Sequence, residues 1–311
     1  MPEMVSFIKD LLILYATALV GYLAKKHAIL GRQADRALTQ IILYITLPAL
    51  ILYSMDIPFS TAYLLDFSIL ASLSAFILGC ACILAFFLAR KTTLPMERRG
   101  VYQGILIFGN QGFLGYAVCG SLLGKEGTVY TAVFNIIYLI LIWTYAIYLV
   151  ARGRHSLSRR LLLFSPGILA TACGLLIFFL PVGWPGIVSK FLQNLGTPTL
   201  PLSMLLIGSI MANIEKKDLI AMFKSSSLWI SSAFKLLALP LLLLPFAFTG
   251  INFSLLAVAV LVTGMPSAPT IPIYAEKYGA DAAFGSAGVC LSTFLSVITL
   301  PLLYTLLRAL S

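Results

Sequence analysis

Stretches of apolar residues long enough to bury a whole helix in lipid recur from one end of this chain to the other. A helix needs about 20 such residues to cross the hydrocarbon core. That ruler gives ten spans, at 7–24, 37–55, 67–89, 100–123, 129–150, 166–182, 193–213, 226–248, 254–276 and 285–307. Only 10% of the 311 residues are charged, while 60% are hydrophobic. So few charges cannot cover a water-facing exterior, which excludes soluble, fibrous, disordered and disulfide-stapled classes. The fold class expected is an all-α integral membrane protein in the lipid bilayer. The first apolar run leads straight into Lys25 and Lys26 without a small-residue cleavage site, so no cleavable signal peptide is expected.

A net charge of +10 invites a nucleic-acid reading, but the placement of the charges argues against one. Nucleic acid needs a dense basic face. Here the basic residues sit in short groups between spans, as in cytoplasmic loops. Loop 1–2 holds Lys25, Lys26, Arg32 and Arg36, and loop 3–4 holds Arg90, Lys91, Arg98 and Arg99. Loop 5–6 holds Arg152, Arg154, Arg159 and Arg160; loop 7–8 holds Lys216, Lys217 and Lys224, and loop 9–10 holds Lys277. Sixteen of the 21 basic residues thus share one side, with Lys9, Lys125, Lys190 and Arg308 on the other. This asymmetry fits ten spans with both termini extracytoplasmic, in a cell membrane. The five cysteines all fall in apolar runs, and Cys80 and Cys82 point to different sides of a helix, so no metal site is expected from them.

The two halves of the chain echo each other. Leu47-Pro48-Ala49-Leu50 in span two answers Leu200-Pro201-Leu202-Ser203 in span seven, offset by 153. Gly109-Asn110-Gln111-Gly112 interrupts span four and Gly264-Met265-Pro266-Ser267 interrupts span nine, offset by about 154, and Gly124-Lys125-Glu126 answers Gly279-Ala280-Asp281. Five spans per half is odd, so the second half inserts upside down. The reading is two inverted five-helix repeats, 1–151 and 152–311. Paired interrupted helices near the midplane are where secondary transporters hold substrate, and freed backbone at that depth is tolerated only in protein or beside water.

Gly109-Asn110-Gln111-Gly112-Phe113-Leu114-Gly115-Tyr116 resembles the Asn-x-Gly-Phe-x-Gly stretch of the auxin efflux carrier family. Pro266-Ser267-Ala268-Pro269 resembles its Pro-x-Ala-Pro, and Tyr278-Gly279-Ala280-Asp281, Ser292-Thr293 and the Leu-Pro of span two fit as well. The resemblance runs along essentially the whole chain. It implies a compact relative with five plus five inverted helices, distantly akin to bile acid/sodium symporters and sodium/proton antiporters. Spans 1, 2, 6 and 7 would form a scaffold. Spans 3–5 and 8–10 would form a moving transport domain with crossover helices at four and nine, working as an elevator. The family carries auxin or small organic acids such as malate or malonate, and a homodimer through the scaffold is expected by analogy.

The residues themselves also favour an anion. The second half-helix after each break offers free N–H groups and a positive dipole end, with Pro269 and Pro272 suited to early helical positions. Asn110, Gln111, Ser267 and Thr270 add uncharged polar groups, and Gly112 and Pro266 belong to the same breaks. All eleven acidic residues lie in loops or at span ends. Family analogy places a polar span-five residue beside the substrate; Asn135, with Tyr138 near it, either does this or makes an interhelical hydrogen bond. Thr46 and Ser203 either line the scaffold face or bond back to their own helices. Ser292 and Thr293 either face the break or pack a small-residue interface. Trp143, Trp184 and Trp229 are expected interfacial anchors.

Lys235 is the single charge deep within a span, ~16 Å along the helix from Lys224. One reading is a charge-compensating or coupling cation near the break, where a related symporter would bind sodium; the other is a snorkelling lysine. His27 and His155 sit in loops, and no midplane acid supports a carboxylate coupling site. Sodium held by carbonyls and hydroxyls alone stays open. No catalytic pattern for intramembrane hydrolysis is present, so no catalytic residue and no cofactor are expected. A sodium-coupled symporter of the same fold, a channel and a non-transporting sensor are the alternatives to an organic-anion carrier.

Overall fold

The computed structural model describes residues 2–56, 61–151, 166–180, 183–212 and 223–310. Arg152, Arg154, His155, Arg159, Arg160, Lys216 and Lys217 lie outside the described residues. Among the described residues the chain is helical, with one isolated antiparallel bridge and no strand. Six helical stretches there are long and apolar enough to cross a bilayer: Gln33–Ser54, Tyr63–Lys91, Gln111–Ala151, Gly186–Ala212, Ser226–Thr249 and Ala282–Leu310. Together with the absence of strands among these residues, this makes the protein a helical membrane protein.

Contacts gather the chain into two compact units. The first holds Met1–Ala71, Gly112–Leu139 and Arg159–Asn213. Its helices are α1 (Pro2–Lys26), α2 (Arg32–Ile41) and α3 (Leu47–Ser54), the beginning of α4 (Thr61–Lys91), most of the helical stretch after the first break, and three helices from the second half. The second unit holds Ser72–Gln111, Ile140–Ser158 and Ile214–Ser311. It contains the rest of α4, then α5 (Met96–Ile107), the end of α6 (Tyr116–Trp143) and α7 (Tyr145–Ala151). The first unit resumes with α8 (Pro166–Phe179), α9 (Gly186–Gly196) and α10 (Thr199–Ala212); the second closes with α11 (Ser226–Ala233), α12 (Phe253–Thr263), α13 (Thr270–Tyr278) and α14 (Ala282–Leu310).

Glycines set the packing in the first unit. Without a hydrophobic drive between helices in lipid, association relies on close approach over small residues. Gly21 of α1 lies against the Leu205 backbone carbonyl of α10, and Gly208 of α10 lies against the Ala18 carbonyl of α1. A Cβ at either position would overlap backbone. Gly196, closing α9, sits on α3 so tightly that a Cβ there would come 2.6 Å from the Leu50 Cα. Thr197 and Pro198 make the short turn between α9 and α10, and Pro201 falls in the first turn of α10.

Prolines are absorbed by wide turns. Pro48 cannot donate a backbone hydrogen bond and its ring would clash with the preceding turn. The residues before it, Ile42–Thr46, open into a π-helical turn in which the Leu47 N–H reaches Ile42. Pro240 is preceded at the same spacing by a second π-turn, Phe234–Ala238, which carries Lys235. Such turns are rare and gather at functional sites. Gly124 does the opposite job. Its φ of 62° and ψ of −139° belong to glycine, and they fold α6 into two arms, separating the fourth and fifth expected spans.

Polar side chains close the loops of the first unit. Asp56 accepts the Trp184 N–H at 3.2 Å and the Ser189 hydroxyl at 3.3 Å, while the Trp184 indole donates to the Leu52 carbonyl at 3.1 Å. Lys25 pairs with Asp35 at 2.5 Å, and the Ser209 hydroxyl donates to the same carboxylate. In the second unit Arg98 pairs with Asp281 at 2.7 Å, and the other Asp281 oxygen accepts the Phe284 N–H in the first turn of α14.

Replacing Gly208 by alanine forces the α1 and α10 backbones apart, at a cost of about 1–3 kcal/mol. Gly79, whose Cβ position meets nothing within 4 Å, tolerates alanine without loss. Thermal unfolding of the two purified variants in detergent is expected to show a lowered midpoint for Gly208→Ala alone.

Candidate functional site

The second unit is built around a helix with no polar face. Every residue of α12 from Leu255 to Thr263 is buried, as an all-apolar helix must be. It is only 11 residues long, about half the hydrocarbon thickness at 1.5 Å per residue. The chain leaves the helix at Gly264 and re-enters one at Thr270. Likewise α5 stops at Ile107, and the chain runs extended before the π-turn Gln111–Gly115 leads into α6. Both interruptions expected from the sequence are therefore real breaks in helix.

The two breaks pair with each other. Gly109 and Ser267 form the isolated antiparallel bridge. The Asn110 N–H donates to the Pro266 carbonyl at 2.6 Å, and the Ala268 N–H donates to the Phe108 carbonyl at 2.9 Å. Side chains partner two further backbone groups here. The Ser267 hydroxyl donates to the Ile105 carbonyl at 2.6 Å, and the Ser267 N–H donates to the Ser292 hydroxyl oxygen at 3.0 Å. Ser292 lies 2.8 Å from the Gly288 carbonyl oxygen of its own helix, to which its hydroxyl donates. Ser292 thus faces the break, while Thr293 bonds back to Val289.

Lys235 lies at the same place. It is 1% exposed, and its Nζ donates to the Ile107 carbonyl at 3.4 Å. A Cβ on Gly109 would stand 2.9 Å from that nitrogen, so the glycine leaves room for the ammonium. Lys235 is buried within the unit, which removes the snorkelling alternative. Among the described residues it is the only charged side chain buried to this degree.

The remaining expected residues divide between the units. Asn110, Gln111, Pro266, Ser267 and Pro269 are buried in the second unit, and Thr270 is half-buried at the start of α13. Pro269 and Pro272 have no N–H, and Ile271 donates to the Ala268 carbonyl at 3.1 Å. Thr270 therefore supplies both the amide and the hydroxyl of that first turn, a narrower set of donors than the sequence alone suggests. Gly112, Asn135 and Tyr138 belong to the first unit. There Gly112 has nothing within 4 Å of its Cβ position. Asn135, 1% exposed, is carried on the second arm of α6 beside the Tyr116 hydroxyl of the first arm. Gly127 makes that approach possible, because a Cβ there would overlap the Cys119 carbonyl. Among the described residues no group of three His, Cys, Asp or Glu side chains could hold a metal ion.

The sequence profile of the membrane transport protein family matches residues 6–159 and 155–304. The chain belongs to this family. It is the auxin efflux carrier family to which the residues of the two breaks point. Two relatives align over nearly their whole length. An uncharacterized transporter of Methanothermobacter thermautotrophicus is 25% identical over 298 residues, covering 91% of this chain and 93% of the relative. The uncharacterized transporter MJ1031 of Methanocaldococcus jannaschii is 28% identical over 308 residues, covering 94% of this chain and 96% of the relative.

In this member of the membrane transport protein family, two features of the site and one of the first unit escape sequence reasoning. Gly109 reads in sequence as a helix breaker, and its second job, leaving space for Lys235, needs three dimensions. Ser292 has two alternatives in sequence, and only the hydrogen bond to Ser267 decides between them. Thr46 and Ser203 have a back-bonding alternative, yet both hydroxyls are buried without a hydrogen-bond partner among the described residues. Pro48 and Pro201 on the neighbouring turns are the available signal.

Removing the Ser292 hydroxyl strands the Ser267 N–H in an apolar interior. Ser292→Ala is expected to lose about 1–3 kcal/mol of stability. Thr293→Ala, which removes a bond within one helix, should cost less than half of that. Paired denaturation curves in the same detergent check the ratio.

Proposed function

We propose that this protein is a secondary carrier for a small organic carboxylate, auxin-like or malate- or malonate-like, across the plasma membrane. The observation that carries the reading is the paired helix break, with a lysine and no acidic side chain buried among its described residues. A carboxylate brought there meets the dipole end and donors of α13 at Thr270, amide side chains at Asn110 and Gln111, and a compensating charge on Lys235. Pro266, Ser267 and Pro269 shape the second break, and Gly112, Asn135 and Tyr138, in the first unit, are assigned to substrate by the family resemblance alone.

The wider arrangement proposed is ten transmembrane helices in two inverted repeats. Spans 1, 2, 6 and 7 serve as scaffold and spans 3–5 and 8–10 as the moving part of an elevator, with both termini extracytoplasmic and a homodimer joined through the scaffold. The basic loops support the orientation, and the family supports transport itself. The backbone pairing of Gly109 with Ser267 supports movement of both breaks as one piece, since residues on the two sides share hydrogen bonds directly.

Transport currents from proteoliposomes test this. A panel of carboxylates is applied in sodium-free buffer to the unaltered chain and to Asn110→Ala. Currents evoked by a particular acid, with an apparent affinity weakened roughly 10- to 100-fold in the variant, are expected for loss of a hydrogen bond to a charged group. Silence of the unaltered chain that sodium relieves would move the reading to a sodium-coupled symporter. Binding without current in either buffer would move it to a sensor.

A further inference from the structure

Lys235 donates to one backbone carbonyl, and a second lies across Gly109 from it. Ile107, whose carbonyl oxygen accepts from its Nζ, is the last residue of α5. The Met265 carbonyl oxygen lies 3.2 Å from the Cβ position of Gly109, and Nζ lies 2.9 Å from that same point. Met265 follows the last residue of α12 by two. Both carbonyls therefore stand where a helix ends, at the negative pole of its dipole. Two buried hydroxyls flank these groups along the chain. Ser232 precedes Lys235 by one helical turn, and Thr263 closes α12; both are buried, and neither has a hydrogen-bond partner among the described residues. Buried oxygen atoms without donors are costly, and two helix ends meeting in an apolar interior repel anything negative.

We propose that these carbonyl ends form a monovalent-cation site that the chain fills with its own ammonium. Lys235 acts there as a tethered ion, so no cation has to be taken from solution. The chemical class the site accepts is an ammonium-sized monovalent cation, such as ammonium, methylammonium or an alkali metal ion. Cutting the lysine back to alanine exposes the site, and a free cation of that size then takes the place of Nζ. The inference rests on the carrier reading for its meaning in transport, because a built-in cation would remove an ion requirement from the cycle.

The test contains no organic anion, so its failure is distinct from failure of the carrier reading. The full chain, Lys235→Ala and Lys235→Met are purified in detergent. Thermal unfolding is followed in methylammonium chloride and in tetramethylammonium chloride, each at roughly 100 mM to hold ionic strength equal. Tetramethylammonium cannot donate a hydrogen bond and is too large for the space an ammonium leaves. The midpoint of Lys235→Ala is expected to rise by about 2–4 °C in methylammonium over tetramethylammonium. The unaltered chain and Lys235→Met, whose side chain fills the space without charge, are expected to show no difference between the salts. Adding Gly109→Ala to Lys235→Ala places a methyl group where the cation would sit and is expected to cancel the rise.

Equal midpoints for Lys235→Ala in the two salts overturn the proposal. So does an equal rise in Lys235→Met, or a rise that survives Gly109→Ala. If Lys235→Ala is recovered folded only when purified in methylammonium, the proposal stands; if it is lost in both salts, the vacated site does not accept a free cation and the proposal fails.

Discussion

Broken helices inside a membrane protein are governed by one requirement, that every backbone N–H and C=O out of reach of water find a partner. A break in a single helix cannot meet it. Two breaks facing each other can, because each offers the donors and acceptors the other lacks. The bridge between Gly109 and Ser267 supplies two main-chain hydrogen bonds, and the Ser267 and Ser292 hydroxyls partner the Ile105 carbonyl and the Ser267 N–H. The pairing explains why small residues crowd this spot. Gly104, Gly285 and Gly288 lie against Ile271, Pro272 and Ile105, where a Cβ would come 3.2 Å or closer to a side-chain atom. The backbones of α5, α13 and α14 can then lie close enough for the bridge to form. A larger side chain there would disturb polar partners as well as packing.

Close approach and wide turns are two answers to the same geometry. Where helices must touch, as α1 and α10 do at Gly21 and Gly208, the side chain is removed. Where a proline interrupts a helix, the preceding turn widens, as at Ile42–Thr46 before Pro48 and Phe234–Ala238 before Pro240. A widened turn also changes which face the following residues present. In the continuation of α11 the widened turn itself carries Lys235, which is buried at the break while Trp229 and Ile230 of α11 are exposed. The proline and the lysine are thus parts of one device, five residues apart.

Much of this was legible in the sequence, and for identifiable reasons. Hydrophobic runs report spans because lipid leaves a chain few alternatives. Gly109-Asn110-Gln111-Gly112 and Gly264-Met265-Pro266-Ser267 report breaks because glycine and proline weaken helices wherever they occur. What sequence could not carry was contact between elements far apart along the chain. The bond from Ser267 to Ser292 spans 25 residues and that from Lys235 to Ile107 spans 128. Pattern and spacing along the chain contain no term for such pairs. The donors at α13 show a subtler limit: two prolines signal a helix start correctly and by the same chemistry remove two of the amides that a helix start is expected to offer.

The break also separates charge preferences that would otherwise conflict. The ends of α5 and α12 present carbonyl oxygens, while the start of α13 presents an amide and the Thr270 hydroxyl. An anion attracted to the start of α13 would be repelled by the carbonyl ends a few residues away, unless a positive charge stood over them. Lys235 stands at Ile107, on the carbonyl side. On the carrier reading, its contribution to an anion is then mostly indirect: it cancels the field of the helix ends and leaves the donors at Thr270, Asn110 and Gln111 to make the contacts. A carboxylate in the place of Lys235 would reverse this balance, reinforcing the negative ends and calling for cations from solution. On that reading, the sign of one buried side chain determines which kind of ion the paired break can receive.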